Sequence, residues 1–170
     1  QAKTRVYFLR GFMDVSTGLD QLAARLSQRG ISSVVANHGH WSKFATDAIR
    51  RYNRRKLCRI VIVGHSLGAD ASIAMAAKLR EAKVPVSLIV TFGPFQSKVV
   101  PPNVRRVVNY YRSNSYWNNV YSRGRKSRTR IRNVDLASKK SIDHFNIERV
   151  PRLHAATMRA IRGSSYRCRR

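Results

Sequence analysis

A serine between two glycines, in Gly64-His65-Ser66-Leu67-Gly68, is the part of this sequence whose residue types and spacing could perform covalent chemistry. An apolar run typical of a buried strand, residues 57–63, leads directly into it, and a helix pattern, residues 67–82, follows directly. Such a turn is so tight that side chains at its two glycine positions would collide with neighbouring backbone. It raises the serine hydroxyl above the sheet, beside a helix N-terminus that favours negative charge. Ser66 is therefore the candidate nucleophile, and a plain helix cap is the alternative.

The elements that must position this turn alternate regularly along the chain. Apolar strand patterns alternate with helix patterns, which is typical of a parallel sheet with crossover helices. The 170 residues fit one domain, which we place at residues 1–163, with a basic tail at 164–170. We therefore predict an α/β fold: a doubly wound, mainly parallel six-stranded sheet with helices on both faces. The strands are expected at 5–9, 31–36, 57–63, 86–92, 104–111 and 131–136, and the helices at 16–28, 42–55, 67–82 and 151–162.

The segment GHSLGA and its setting resemble the nucleophile turn of the α/β-hydrolase superfamily, in particular small bacterial lipases, esterases and thioesterases. The resemblance covers nearly the whole chain. It implies a single-domain α/β hydrolase without an evident lid domain, in which Ser66 attacks a carboxylic ester or thioester and forms an acyl-serine intermediate. The alternative is a catalytically degenerate hydrolase scaffold that binds an anionic partner: a lipid, a polysaccharide or nucleic acid.

The resemblance also implies a histidine base. The superfamily's chain order is serine, acid, histidine, and His144 and His154 are the two histidines that follow Ser66. His154 falls inside the last predicted helix, whereas His144 falls in the loop before it, where superfamily members carry their histidine. We therefore expect His144 to be the base, with a capping or surface role as the alternative. His65 adjoins the nucleophile, is expected to point away from it, and is interpreted as structural.

The acid is where this sequence departs from the superfamily pattern. No Asp or Glu occurs in residues 82–134, so the usual positions, at 93–94 and 112–114, carry no carboxylate. Asp135, at the end of the last predicted strand, is our candidate acid. An amide such as Asn114, or a Ser-His dyad, would also hold the imidazole tautomer at some loss of rate. Asp135 is equally well interpreted as a loop carboxylate paired with an arginine.

The oxyanion hole of this fold takes one N–H from the residue after the nucleophile and one from the loop after the first strand. By resemblance these donors are Leu67 and Phe12. Arg10 stands where superfamily members often carry His, so the second donor could shift from Phe12 to Met13. No cofactor is implied. The five His and two Cys have no metal-ligand spacing, so we expect no metal.

The charge balance points to a class of partner. The chain has 34 Lys and Arg against 8 Asp and Glu, a net charge of +26. Such a surface favours an anionic membrane or envelope; nucleic acid is less favoured because no recognised binding pattern is present, and a solvated face is the alternative. The cations are concentrated at residues 50–59, 112–132 and 167–170. Aromatic residues interleave with the second cluster and could form the rim of an acyl pocket, an interfacial belt or a base-stacking surface: Tyr110, Tyr111, Tyr116, Trp117 and Tyr121.

The compartment is the least constrained property. No apolar run reaches the length of about 18 residues that a membrane-spanning helix needs. The chain opens at Gln1 without Met, which suits a mature form after signal-peptide removal, so a periplasmic or secreted location is expected, with the cytoplasm as the alternative. Cys58 and Cys168 lie far apart in sequence, and their spacing does not indicate whether they pair. Trp41 is expected in the loop after the second strand, either lining the pocket or packed into the core.

Overall fold

The computed structural model describes residues 3–163. Six parallel strands form one sheet in the order β2-β1-β3-β4-β6-β8, and a separate parallel pair is formed by β5 and β7. The strands are β1 Thr4–Arg10, β2 Ser32–Asn37, β3 Arg59–His65, β4 Leu88–Phe92, β5 Lys98–Val100, β6 Arg106–Tyr111, β7 Tyr121–Arg123 and β8 Arg130–Asp135. The helices are α1 Thr17–Gln28, α2 Trp41–Asn53, α3 Leu67–Glu81 and α4 Pro151–Gly163.

The central strands are apolar on both faces because helices cover the sheet on both sides. Val61 and Val63 of β3 pack into a core layer with α1 and α4, whereas Ile60 and Ile62 pack into the opposite layer with α2 and α3. Successive side chains of a strand point to opposite faces, so one continuous apolar run supplies both layers. The predicted doubly wound α/β fold is confirmed.

The crevice of this sheet lies between β1 and β3, where the strand order reverses. Here α3 begins directly against the backbone of β1. A Cβ on Gly68 would lie 2.0 Å from the Leu9 carbonyl oxygen, and a Cβ on Gly64 would lie 2.2 Å from the Gly68 oxygen. Both distances are impossible for a side chain, so the expectation that only glycine fits at positions 64 and 68 is confirmed.

The predicted strands and helices all form, with the largest boundary shift at β3, which occupies residues 59–65 rather than 57–63. The strands β5 and β7 were not predicted, because three residues are too few to carry a periodicity signal. Among residues 3–163, no helix is long and apolar enough to cross a membrane. Cys58, just before β3, is disulfide-bonded. Cys168, the chain's other cysteine, and the tail at 164–170 lie outside the described residues.

Candidate active site

Ser66 occupies the turn between β3 and α3 in a strained conformation. Its φ is 58° and its ψ is −121°, in a region that residues other than glycine rarely adopt. Its N–H donates to the Phe92 carbonyl at 3.0 Å, which ties the turn to the neighbouring strand β4. The surrounding structure therefore enforces a costly backbone geometry at the one serine that the sequence marks as a nucleophile.

His144 meets Ser66 as the sequence analysis expected. The distance between His144 Nε2 and Ser66 Oγ is 3.0 Å, and both residues are buried. His144 lies in the connection from β8 to α4. Burial lowers the pKa of His144 to about 4, with a further contribution from neighbouring His65. The imidazole is therefore neutral at pH 7, and its Nε2 can accept the Ser66 proton when Nδ1 carries the hydrogen.

Asp135 is not the partner of His144, and this expectation was wrong. Its carboxylate accepts hydrogen bonds from Ser113 N–H at 3.1 Å, from the Ser113 hydroxyl at 2.5 Å and from Ala137 N–H at 2.9 Å. These bonds, led by the Ser113 hydroxyl, lower the pKa of the exposed Asp135 carboxyl. Asp135 ends β8 at the edge of the sheet, whereas His144 contacts residues that follow β3 and β4, near its centre.

Among residues 3–163 no other acid replaces Asp135 beside His144. His144 Nδ1 is buried and has no hydrogen-bond partner among the described residues, which also leaves Asn114 without the proposed role. Gly93 lies beside this nitrogen: a Cβ added at position 93 would lie 2.8 Å from His144 Nδ1. Gly93 has a φ of +56°, which glycine adopts without strain. The arrangement is a Ser-His dyad.

His154 lies inside the last helix, as expected. It is buried in α4, and its Nε2 lies 2.6 Å from the Glu148 carbonyl oxygen. The Glu148 side chain is fully buried and accepts a hydrogen bond from Gly18 N–H at the start of α1. Burial raises the pKa of Glu148 to about 7. These contacts join the segment after His144 to two helices.

His65 faces away from Ser66 Oγ and joins two loops. Its Nδ1 lies 2.7 Å from Ser16 Oγ, and its Nε2 lies 2.8 Å from the main-chain oxygen of His144. A carbonyl can only accept, so Nε2 carries the hydrogen and Nδ1 accepts from the Ser16 hydroxyl. Ser16 Oγ in turn accepts from Gly11 N–H at 2.8 Å. Burial lowers the pKa of His65 to about 4, so it stays neutral in this chain of bonds.

Trp117 covers one face of the His144 ring. The two ring centroids are 3.6 Å apart and the rings are tilted by 13°, a close parallel stack. The edge of Trp117 contacts Phe95 at a centroid distance of 4.8 Å. The loop of Trp117 follows β6, so the second aromatic and basic cluster supplies a residue to the site itself. Trp41 is half-buried and packs onto the core layer of α2 and α3.

The two expected oxyanion donors are Leu67, directly after Ser66, and Phe12, in the connection that follows β1. Leu67 begins α3, and the N–H groups of a first helical turn have no partner within the helix. Phe12 follows Gly11, and a Cβ on Gly11 would lie 3.1 Å from Ser66 Cβ, so this loop lies against the nucleophile. Arg10, which replaces the usual His, donates to the Asp20 carboxylate at 2.6 and 3.0 Å and anchors the loop.

Exposed apolar side chains border the site. Four connections at the carboxyl edge of the sheet carry them: those after β1, β4 and β6, and the one before α4. We call this set the apolar rim; its members are Phe12, Met13, Val15, Phe95, Tyr116 and Phe145. Val99 and Val120 are the other exposed large hydrophobic residues among those described.

Charge is distributed unevenly between the two edges of the sheet. Six of the eight acidic residues lie at the carboxyl edge with the dyad: Asp14, Asp20, Asp70, Asp135, Asp143 and Glu148. At the amino edge, a cavity of about 530 Å³ is lined by six cations: Lys3, Arg5, Arg51, Lys56, Arg59 and Arg162. In residues 3–163 there is no group of three or more His, Cys, Asp or Glu that could hold a metal ion.

Sequence reasoning missed Ser16 and Gly93. Ser16 was predicted to begin the first helix, but it precedes α1, and its side chain bonds to Gly11 and His65. Gly93 was considered only as a usual acid position that carries no carboxylate. No local pattern marks either residue, since their partners are distant in sequence.

Solved structures with similar folds were found in three bacteria. The product of the gene lin2722 from Listeria innocua is 12% identical with a TM-score of 0.60, covering 96% of both chains. A protein assigned to the hydrolases of the alpha/beta superfamily from Xanthomonas campestris pv. campestris is 14% identical with a TM-score of 0.52, covering 92% of this chain and 95% of that one. The RedJ thioesterase of the prodiginine biosynthetic pathway in Streptomyces coelicolor is 11% identical with a TM-score of 0.55, covering 94% and 86%.

Comparison by sequence gives no match: no protein-family model and no curated protein matches this chain. At 11–14% identity the structural likeness concerns the fold. The neighbours span nearly the whole chain, and the strand order, the turn at Ser66 and the position of His144 agree with the fold that the sequence resembles. The chain has the α/β-hydrolase fold.

Proposed function

We propose that this protein is a serine hydrolase that cleaves a carboxylic ester or thioester through an acyl-Ser66 intermediate. The observation that carries the proposal is the 3.0 Å contact between His144 Nε2 and Ser66 Oγ at a strained strand-to-helix turn. A serine held at φ 58° at that cost is typical of a functional site rather than of a helix cap. The alpha/beta hydrolase and thioesterase among the structural neighbours support the same reaction class.

The reaction follows from the geometry. Ser66 Oγ attacks the substrate carbonyl carbon while its proton passes to His144 Nε2, and the Leu67 and Phe12 amides hold the resulting oxyanion. The tetrahedral intermediate collapses, and His144 returns the proton to the departing alcohol or thiol. A water molecule then attacks the acyl-serine, gives one proton to His144, and releases the carboxylic acid with Ser66 restored.

The apolar rim supports a substrate with an acyl chain rather than a small polar ester. Phe145 contacts the His144 ring, and Phe95 contacts Trp117, which stacks on the same ring. Tyr116 is fully exposed. Leaving such side chains in water is costly unless a ligand covers them, at about 25 cal/mol for each Å² of apolar area that becomes buried.

The net charge and the disulfide bond support a proposal for where the protein acts. The net charge of +26 favours a protein held at an anionic membrane or envelope surface. The disulfide at Cys58 supports an oxidising compartment, periplasmic or secreted, because such bonds are rare in the cytosol.

The test is a panel of short- and long-chain nitrophenyl esters and acyl-thioesters, together with a fluorophosphonate probe that labels activated serines. We expect Ser66→Ala and His144→Ala to abolish turnover and labelling, and His154→Gln, the matched histidine control, to retain both. Turnover that survives in a folded Ser66→Ala protein would exclude the mechanism. A wild-type protein that is folded but inert to the probe and to every ester would favour the binding-scaffold alternative.

A further inference from the structure

We propose that His144 is held as a base by a two-point clamp in place of a carboxylate: the Trp117 indole fixes its ring, and His65 fixes its main-chain carbonyl. This inference rests on the proposed function, because it assigns positioning residues to the same dyad. In a triad the carboxylate holds the imidazole in the correct tautomer and orientation and stabilises the imidazolium that forms. His144 Nδ1 has no such partner among residues 3–163, and the residue beside it is Gly93, where an added Cβ would stand 2.8 Å from this nitrogen.

Trp117 fixes the plane of the ring. At a centroid distance of 3.6 Å and a tilt of 13°, the indole restricts the imidazole to rotation within its own plane. The face of an indole also attracts a cation, so the stack stabilises the imidazolium that exists during proton transfer more than the neutral ring. The stack thus supplies orientation and charge stabilisation, the two contributions that the absent carboxylate would make.

The loop that carries Trp117 is itself tied down. Asn119 Nδ2 donates to the carbonyls of Pro94 and Phe95 at 3.0 and 3.1 Å. Asp70 in turn accepts from the Phe95 N–H at 3.2 Å, which fixes the same segment to α3. The stack therefore joins two anchored segments.

His65 fixes the other end of the base. Its Nε2–H donates to the His144 carbonyl at 2.8 Å, and its Nδ1 accepts from Ser16, whose oxygen accepts from Gly11. With a neutral His65 every bond in this chain has a defined direction: Gly11 N–H donates to Ser16, the Ser16 hydroxyl donates to His65, and His65 donates to the His144 carbonyl. Gly11 precedes the oxyanion donor Phe12. One buried chain of hydrogen bonds thus sets the base loop and the oxyanion loop relative to each other.

The first test measures the second-order rate with which a fluorophosphonate probe labels Ser66, corrected for the folded fraction of each variant. We expect Trp117→Ala and His65→Ala each to lower this rate about tenfold, the size of a lost cation–π or buried hydrogen-bond contribution. Trp117→Phe keeps an aromatic face and His65→Gln keeps a donor toward the His144 carbonyl, so both should recover most of the loss. In ester turnover the losses should fall on kcat and not on KM, because the clamp assigns both residues to holding His144 and not to binding substrate.

A second test reads the clamp without any activity. The chain has two tryptophans, so in Trp41→Phe the fluorescence comes from Trp117 alone. Protonation of a stacked imidazole quenches an indole, so we expect the emission to fall as the pH is lowered through the titration of His144, and this fall to disappear when His144→Gln is added. His154→Gln should leave it unchanged.

Either of two results would overturn the clamp. One is a wild-type labelling rate in folded Trp117→Ala and His65→Ala. The other is a fall in Trp117 emission at low pH that is unchanged by His144→Gln. If emission responds as expected but the wild-type protein neither labels nor turns over any ester, the clamp geometry stands and the proposed hydrolase function fails.

Discussion

His144 Nδ1 lies so close to Gly93 that a single added carbon at position 93 would stand 2.8 Å from it. In a Ser-His-Asp triad this nitrogen bonds to a carboxylate, whereas here it lies beside Gly93 and has no hydrogen-bond partner among residues 3–163. Glycine is favoured here for two reasons: it adopts a φ of +56° without strain, and a Cβ at this position would stand too close to the imidazole unless the ring moved.

Gly93→Ala should therefore lower kcat/KM by one to two orders of magnitude, since a shift of about 1 Å in a catalytic group can cost about 10²-fold. Gly30→Ala is the matched control. Gly30 also has a positive φ, +75°, but an added Cβ would meet nothing within 4 Å. Both variants should lose about 1 kcal/mol of stability from backbone strain. Steady-state kinetics and thermal unfolding measure the two effects, and equal activity in both variants would remove Gly93 from the site.

The pH dependence should be unusual for a histidine base. His144 works when neutral, so activity rises as the pH passes upward through its pKa, which burial lowers to about 4. We expect kcat/KM to be half-maximal near pH 4 and flat from about pH 6, whereas an ordinary histidine near pKa 6.5 would still titrate there. A rate profile between pH 3.5 and 9 measures this. A midpoint at 6.5 or above would mean that Nδ1 acquires a partner in solution.

Asp135→Asn should leave catalysis almost intact. Its carboxylate braces Ser113 and Ala137 at the edge of the sheet and does not reach His144. We expect kcat/KM within about threefold of wild type and a loss of about 1 kcal/mol or less in unfolding free energy, typical of one weakened exposed hydrogen bond. A loss of several orders of magnitude, as when a triad acid is removed, would restore Asp135 to the mechanism.

Some of these residues could be predicted from the sequence and others could not. Ser66 and its turn were predictable because strand, glycines and helix are contiguous, and His144 because superfamily order left two candidates. Asp135 was chosen as the nearest carboxylate at the correct end of a strand. In the sheet, two strands separate β8 from β3. The order of strands across the sheet could not be predicted from the sequence. The Trp117 stack likewise depends on loop geometry, and residue type alone left three interpretations open.

Cys58 should resist alkylation. It is disulfide-bonded, so iodoacetamide should not modify it in native or denatured protein until a reductant is added. Mass spectrometry of the peptide that contains Cys58, with and without reductant, measures this. Full modification before reduction, in protein prepared under oxidising conditions, would remove the support that this bond gives to an extracytoplasmic location.

The basic surface should control binding of the protein to anionic vesicles and should not affect the hydrolysis of small esters. We expect the protein to sediment with anionic vesicles at low salt and to be released as salt shortens the screening length to about 8 Å and below. Arg125→Ser, Lys126→Ser and Arg128→Ser together, in the exposed segment before β8, should weaken adsorption. Lys139→Ser with Lys140→Ser, in the loop that carries His144, should weaken it less. Hydrolysis of a small neutral ester should be unchanged by salt, and equal salt sensitivity of both readouts would contradict the assignment.

The uneven charge of the two sheet edges gives the molecule a permanent dipole. Its positive end is the amino edge with the cation-lined cavity, and its less positive end carries the dyad, the apolar rim and most of the carboxylates. In the field of an anionic surface this dipole exerts a torque that turns the positive end inward. An adsorbed molecule would then present Ser66 to the aqueous phase, so its acyl substrates would arrive from solution rather than from the surface that holds it.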